Sequence, residues 1–233
     1  MINSTTECSA IEIARRYLSG FDVSHDIAHV KRVVLNAKRI FQELEDHDAL
    51  DLNIVIAIAA LHDCLDKKYI GSDSIEQKRA QLHREIVEEL RFTTEQAQFI
   101  LKTVDNVSYS TELAGGEAAT STCPYLAIVR DADRLEAIGA IGAARCFAFS
   151  AAKNRLLATE DFEIERRMRE AYLSGEPMSS ASHGNESAIV HFYDKLVNLL
   201  PRFKTAPGKK LAQQRHDFIL AFLDQIHDEM AVI

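Results

Sequence analysis

Residues 51–65 read DLNIVIAIAALHDCL, and this stretch decides the fold class. It is apolar nearly all round, and its length and its alanines favour a buried central helix over a β-strand. The residues after His29 show a complementary pattern, because their apolar positions recur at three- and four-residue steps and predict a helix of roughly five turns with one apolar stripe. The stripe consists of Val30, Val33, Val34, Ala37, Ile40, Phe41 and Leu44. Together the two stretches predict a helical core.

Helical periodicity continues along most of the remaining chain. We expect helices over residues 74–90, 93–107, 124–152, 161–173, 186–200 and 209–230. Thr93 offers an N-cap followed by an acidic and an amide residue, and Asp161 can cap the helix that it begins. Residues 108–123 and 174–187 are small, polar and glycine-containing, so we expect loops there. Each loop is either an ordinary surface connection or a lid over a site.

Length and composition favour an all-α protein. A chain of 233 residues corresponds to one large domain or two intimately packed ones. Its 9 Gly and 4 Pro are too few for a turn-rich β-sandwich or barrel, and its 47% hydrophobic content argues against disorder. No apolar run approaches the roughly 20 residues of a transmembrane helix, and the N-terminus has acidic residues where a signal peptide is apolar.

Charge and cysteine content narrow the function classes. The 27 Lys+Arg against 35 Asp+Glu give a net charge of −8. A duplex nucleic-acid binder needs a basic face, so this class is disfavoured, and any anion must be bound in a local cationic pocket. The spacing of the four cysteines matches neither a zinc knuckle nor a dense disulfide framework, which favours reduced thiols and a cytoplasmic protein.

Histidine and aspartate are concentrated in three short segments. These are HDIAH at residues 25–29, HDCLD at residues 62–66 and DADR at residues 131–134. His62 and Asp63 end an apolar helix whose preceding nine residues carry no charge. Because a buried carboxylate without a partner costs several kcal/mol, we expect a cation beside Asp63. Imidazole and carboxylate ligands suit Mn²⁺, Fe²⁺, Zn²⁺, Co²⁺ or Ni²⁺.

These segments resemble the H…HD…D signature of the HD-domain superfamily of metal-dependent phosphohydrolases. The residues that carry the resemblance are His29 followed by VKRVV, the His62-Asp63 pair, and a later helix with DADRL. The likeness is closest to a small bacterial stand-alone branch that includes nucleotide pyrophosphohydrolases, and it spans roughly residues 18–230. It implies an all-α helical bundle in a single domain over residues 1–233. Its core would lie at about residues 18–150, with C-terminal helices at about residues 160–233 packed on it.

The resemblance implies a ligand set for one divalent transition metal. The ligands are His29, His62, Asp63 and one aspartate of the last segment. We favour Asp133, because the family's last aspartate usually precedes a basic and then a bulky apolar residue, as Asp133 does here. Asp131 is the alternative, or an acceptor behind the ligands. Mn²⁺ is the favoured metal, with Co²⁺, Ni²⁺, Fe²⁺, Zn²⁺ or Mg²⁺ as alternatives.

Several neighbouring residues are candidates for proton transfer and phosphate binding. His25 precedes His29 by four residues. It is either a capping or surface histidine, or a substrate-phosphate contact or proton donor beside the metal. Asp66 matches the position of an acid that some HD hydrolases use to orient water or donate a proton. Lys67 and Lys68 either form a solvated helix end or include at least one residue that neutralises phosphate charge.

Two further cations are predicted to contact the substrate. Arg134 directly follows the favoured ligand, and Lys195 lies in the segment HFYDKL, which looks like a recurring segment of the same bacterial branch. The sequence thus predicts a phosphohydrolase that cleaves a nucleotide phosphate ester or anhydride, of nucleoside triphosphate pyrophosphohydrolase or nucleotidase type. Its partner would be a small phosphorylated molecule, neither duplex nucleic acid nor a membrane, and a homodimer stays open. The alternatives are a non-catalytic nucleotide-sensing module and a hydratase or oxygenase on the same scaffold.

Overall fold

The structure is a computed structural model, and it describes residues 5–19, 26–66, 74–115, 122–176 and 187–230. Within these ranges the chain forms eleven α-helices and no β-strand. A single isolated bridge joins Leu156 and Ser187. The predicted all-α fold class is confirmed.

The described residues form two compact units. The first comprises the residues up to 19, residues 26–133 and residues 204–208. It holds helices α1 Thr5–Tyr17, α2 Ile27–Gln42, α3 Leu52–Leu61, α4 Ile75–Glu88, α5 Thr94–Val104, α6 Tyr109–Leu113, and α7 Pro124–Leu135 as far as Asp133. Helix α1 was not among the helices that the sequence predicted. The expectation of a single domain over the whole chain stays a prediction.

Helix α3 is the centre of the first unit. Every residue from Ile54 to Leu61 is buried, and the helix packs against α1, α2 and α5. The Asp51 carboxylate accepts a hydrogen bond from the backbone N–H of Asn53 at 2.8 Å and caps the helix at its start. A helix that is apolar on all sides is stable only when other helices surround it. The C-terminal end of α3 therefore carries His62 into the interior of the unit.

Helix α2 has the one-sided pattern that the sequence predicted. Its apolar stripe is buried from Val30 to Phe41, and its N-cap is Asp26, whose carboxylate accepts a hydrogen bond from the backbone N–H of His29 at 2.8 Å. This bond fixes the first turn of the helix. Because His29 lies in that turn, the cap also fixes the position of its imidazole.

Helices α5 and α6 follow one another along the chain. Thr93 and Gln96 form the predicted capping box at the start of α5. Residues 108–123 were predicted as a loop, and this is wrong for the first part, where Ser108 accepts from the backbone N–H of Thr111 at 3.2 Å and begins α6. A side-chain cap can start a helix without a hydrophobic repeat, and a helix of five residues is too short to show such a repeat in the sequence.

The second unit comprises residues 134–176, 187–203 and 209–230. It holds α8 Gly139–Ala152, α9 Glu163–Ser174, α10 Ala188–Asp194, and α11 Ala206–Met230 from Lys209 onward. Glu165 is fully buried between these elements. Its carboxylate accepts hydrogen bonds from the Thr159 hydroxyl at 2.5 Å and the Ser187 hydroxyl at 2.6 Å. Ser187 in turn caps α10, so one carboxylate fixes the start of that helix.

The single helix predicted over residues 124–152 is wrong. The chain leaves the helix after Leu135, Ile138 is extended, and Gly139 has φ +78°. A positive φ favours glycine, and a Cβ on Gly139 would also meet the Arg215 side chain at 3.0 Å. The predicted helix 186–200 likewise ends at Asp194 and continues as two 3₁₀ turns, Leu196–Asn198 and Leu200–Arg202.

No single helix in the described ranges is long and apolar enough to cross a membrane. The adjacent helices Pro124–Leu135 and Gly139–Ala152 reach the length and apolar composition of a membrane span only when they are counted together, and they are bent by 71° relative to each other.

We expect Ile58→Ala to lower the free energy of unfolding by about 2–5 kcal/mol, because Ile58 is fully buried on α3 and its loss leaves a cavity. Leu35→Ala on the exposed side of α2 is the matched control and should change this free energy by less than about 0.5 kcal/mol. Urea denaturation measures both. Equal effects of the two substitutions would contradict the central position of α3.

Candidate metal centre

Four side chains from three helices meet in the first unit. His29 comes from the first turn of α2, His62 and Asp63 directly follow α3, and Asp133 lies near the end of α7. The His29 Nε2 atom is 3.6 Å from Asp63 Oδ2 and 3.5 Å from Asp133 Oδ1. The His62 Nε2 atom is 3.2 Å from Asp63 Oδ2 and 3.7 Å from Asp133 Oδ1. Both imidazoles thus face both carboxylates.

The tautomer of His62 follows from its hydrogen bonding. Its Nδ1 atom lies 2.8 Å from the carbonyl oxygen of Ala59, which can only accept, so Nδ1 carries the hydrogen. In the neutral ring Nε2 then has a lone pair. This atom is buried and makes no hydrogen bond to any described residue, although it faces two carboxylates. Lone pairs that face one another in a buried place need either a proton or a metal cation between them.

The electrostatics of His62 agree with this requirement. Burial lowers the pKa of its imidazole, but the carboxylates of Asp63 and Asp133 and the bond to Ala59 outweigh burial and raise the pKa to about 9. The ring therefore favours positive charge at Nε2 when no metal is present. A divalent cation among these atoms would supply that charge and would balance the two carboxylates.

The geometry fits one divalent ion. Ligand atoms at roughly 2.1 Å from a metal are about 3.0 Å apart in octahedral and about 3.4 Å apart in tetrahedral coordination. The four imidazole–carboxylate distances run from 3.2 to 3.7 Å. One ligand atom each from His29, His62 and Asp133 lies within 4.8 Å of the others. The Asp133 side chain is 32% exposed, so the cluster has one side that a water or a substrate can reach.

Asp131 and Asp133 point to different places. Asp131 is fully buried, and its carboxylate accepts hydrogen bonds from the backbone N–H of Lys204 at 2.9 Å, the N–H of Thr205 at 2.7 Å and the Thr205 hydroxyl at 2.8 Å. It thus holds the residues that precede α11. Gly208 packs so closely on Asp131 that a Cβ there would collide with the carboxylate. The geometry supports Asp133 over Asp131 as the fourth ligand.

A cavity of ≈730 Å³ adjoins His62 and Asp63. Asp66 also lines it, as do Glu76 and Arg79 of α4 and Asp105 directly after α5. The hydroxyl residues Ser108, Ser110 and Thr111 line it from the segment that forms α6. Arg79 Nη1 donates to Asp105 Oδ1 at 2.6 Å. The cavity therefore combines two metal-cluster residues, further carboxylates, hydroxyls and a guanidinium.

The other predicted site residues do not all come together. Arg134 and Lys195 belong to the second unit. Arg134 is buried, and its Nη1 donates to the carbonyl oxygen of Arg202 at 2.8 Å. Lys195 directly follows α10. Burial lowers the pKa of the His191 imidazole to about 4, and the positive charge of Lys195 adds to this effect. Their roles as substrate contacts stay predictions, and His25, Lys67 and Lys68 lie outside the described residues.

Sequence reasoning missed Arg79, Asp105 and the hydroxyls of α6. The pair Arg79–Asp105 is 26 residues apart and carries no local motif. For α6 a signal did exist, since Ser108 can act as an N-cap and Glu112, four residues later, places an acidic residue in the first turn. Glu112 is buried and forms an ion pair with Lys204 at 3.0 Å.

The fold and the cluster identify the class of protein. Residues 26–138 match the family model of the HD domain, and this range contains all four residues of the cluster. Residues 26–138 are therefore identified as an HD domain.

Its relatives cover nearly the whole chain. YpgQ of Bacillus subtilis is 28% identical over 206 residues, which is 88% of this chain and 84% of YpgQ. A protein from Lactobacillus plantarum is 27% identical with a TM-score of 0.74, and all of both chains is covered. The crystal structure of YpgQ in complex with ADP is 27% identical with a TM-score of 0.67 over 96% of both chains. An HD-superfamily hydrolase from Bacillus thuringiensis, at 24% identity and a TM-score of 0.65 over 97% of both chains, shares the fold.

We expect Asp133→Asn and Asp131→Asn to separate metal binding from stability. Asp133→Asn should weaken binding of Mn²⁺ by at least about 10- to 100-fold, which is the loss typical even of residues behind the ligands, with little change in unfolding. Asp131→Asn should leave Mn²⁺ binding unchanged and lower the free energy of unfolding by about 1–3 kcal/mol, because it weakens buried bonds to a charged acceptor. Metal analysis after dialysis and urea denaturation measure the two properties. The opposite pattern would make Asp131 the ligand.

Proposed function

We propose that this protein is a metal-dependent phosphohydrolase that cleaves a phosphate ester or anhydride of a nucleotide. The observation that carries the proposal is the buried His62 Nε2 atom, which has no hydrogen bond to a described residue and faces the carboxylates of Asp63 and Asp133. Two imidazoles and two carboxylates beside a cavity suit a catalytic metal with open coordination positions. The ADP complex of YpgQ supports a nucleotide as the substrate.

The proposed ligands are His29, His62, Asp63 and Asp133. When bound, a divalent metal supplies Lewis acidity, which withdraws charge from a phosphoryl group and lowers the pKa of water. The bond from His62 Nδ1 to Ala59 keeps the ring oriented with Nε2 toward the carboxylates. We favour Mn²⁺, since mixed nitrogen and oxygen ligands suit it, and Co²⁺, Ni²⁺, Fe²⁺, Zn²⁺ and Mg²⁺ are the alternatives to be tested.

Asp66 is the proposed proton acceptor for the attacking water. It lies one turn after Asp63, its backbone N–H donates to the Asp63 carbonyl at 3.1 Å, and its side chain lines the same cavity as His62 and Asp63. A carboxylate there can take the proton of a water that attacks phosphorus, without itself holding the metal. His25, Lys67 and Lys68 stay proposed as a second proton-transfer group and as phosphate contacts.

The reaction type within this class follows from the bond that is broken. Attack on the α-phosphorus of a nucleoside triphosphate releases pyrophosphate, and attack on a terminal phosphorus releases phosphate. Both the pyrophosphohydrolase and the nucleotidase reaction need the same ligands and the same proton acceptor. A panel of nucleoside mono-, di- and triphosphates, read by phosphate and pyrophosphate release, distinguishes them.

We expect Asp63→Ala to abolish both Mn²⁺ binding and hydrolysis of that nucleotide panel, because one carboxylate that faces both imidazoles is lost. Asp48→Ala is the matched control, since the Asp48 side chain is 97% exposed and its ion pair within the described residues is with His47. Unchanged metal content and unchanged hydrolysis in Asp63→Ala would refute the proposed site.

We expect Asp66→Asn to lower kcat by about 10²- to 10⁴-fold with Mn²⁺ binding retained, because the amide cannot accept the proton of the attacking water. Steady-state kinetics and metal analysis on the same preparation measure both quantities. A wild-type kcat in this variant would remove Asp66 from the reaction and leave His25 as the candidate base.

A further inference from the structure

Arg79 is the arginine among the described residues that line the cavity, and no lysine is among them. Four lining residues are carboxylates, namely Asp63, Asp66, Glu76 and Asp105. A divalent metal offsets the charge of its own ligands, and the remaining acids still make the cavity a poor place for a phosphate chain. A nucleotide that binds there needs a further cation on the cavity wall.

The guanidinium of Arg79 is held in a defined position. Its Nη1 atom donates to Asp105 Oδ1 at 2.6 Å, and the two side chains are 38% and 42% exposed. Asp105 is the C-cap of α5, where the backbone carbonyls add negative potential that also attracts a guanidinium. An arginine fixed at one nitrogen loses less freedom when it binds a second anion.

The remaining nitrogens of Arg79 are available for a ligand. Nε and Nη2 make no hydrogen bond within the described part of the chain, and Arg79 lies on the same wall as Glu76, one turn earlier on α4. A guanidinium has five N–H donors, of which Asp105 uses one. The open donors match two oxygens of a phosphate group in the bidentate manner that favours arginine over lysine.

We propose that Arg79 binds the phosphate chain of the substrate, at a phosphate other than the one held at the metal, and that Asp105 is its positioning residue. The inference rests on the proposed function and specifies its substrate class. Nucleoside di- and triphosphates have a second phosphate for Arg79, and a monophosphate does not. Arg79 therefore selects substrates with a phosphate chain.

Steady-state kinetics with Mn²⁺ tests the proposal on a nucleoside triphosphate and the corresponding monophosphate. We expect Arg79→Gln to raise KM for the triphosphate about tenfold with kcat within about twofold, since one charged hydrogen-bonded contact is lost. KM for the monophosphate should stay within about twofold. Arg79→Lys should recover part of the loss, because the charge remains and the fork is lost. Asp105→Asn should give a smaller rise of KM, again without loss of kcat.

Arg84→Gln is the matched control, because Arg84 is an exposed arginine on the same helix and does not line the cavity. It should leave KM for both substrates unchanged. Thermal unfolding of all variants checks the fold. An unchanged KM for the triphosphate in folded Arg79→Gln and Arg79→Lys would overturn the proposal.

Binding of inorganic triphosphate, measured by calorimetry with and without Mn²⁺, separates the inference from the proposed function. If the wild-type protein hydrolyses no nucleotide but binds triphosphate, and Arg79→Gln binds it about tenfold more weakly, the proposed function fails and the inference stands. If the wild type hydrolyses nucleotides and Arg79→Gln matches it in KM and in binding, the inference fails alone. If the wild type neither hydrolyses nucleotides nor binds triphosphate, both fail.

Discussion

Two carboxylates face two buried imidazoles at the end of the most apolar helix described, and this arrangement is unfavourable without a cation. The side chains cannot move apart easily, because α3 is packed on all sides and His62 is tied to the carbonyl of Ala59. The packing of α3 thus holds the donor atoms in place, and the proposed metal ion would offset the unfavourable contact between them. Stability and ion binding are therefore linked through one helix, and the capped first turn of α2 supplies the second imidazole.

The sequence predicted the elements that depend on local chemistry. Helices α2 and α3 and the capping box at Thr93 follow from periodicity and capping. The HD resemblance predicted the approach of His29, His62, Asp63 and Asp133. The break between α7 and α8 was missed, because two apolar helical segments separated by three residues keep nearly the same hydrophobic period. The turn there depends on the backbone of Gly139 and on Arg215, far along the chain. Arg79 was missed for a similar reason, since only the packing of α4 against α5 brings it to Asp105.

Asp131 and Asp133, the two aspartates of the DAD segment, contact different surroundings because they lie on different faces of one helix. Residues two apart on a helix differ by about 200° in direction, so Asp131 and Asp133 necessarily point to different surroundings. Asp133 faces the imidazoles, and Asp131 faces the backbone amides that precede α11. Motif matching alone left both open as ligands, and the hydrogen bonds of Asp131 account for its carboxylate without a metal. The same turn of α7 thus anchors residues 204–208 beside the His–Asp cluster.

The close approach of Gly208 to Asp131 has an evolutionary consequence. A side chain at position 208 would displace the Asp131 carboxylate from the amides of Lys204 and Thr205. Once either residue is mutated, natural selection would therefore act only weakly to keep the other. Homologues should consequently keep both residues or lose both. The aspartate two residues before the position of Asp133 and the glycine three residues after the position of Thr205 would then be inherited together. Divergent members that lack both would start their last helix from a different anchor.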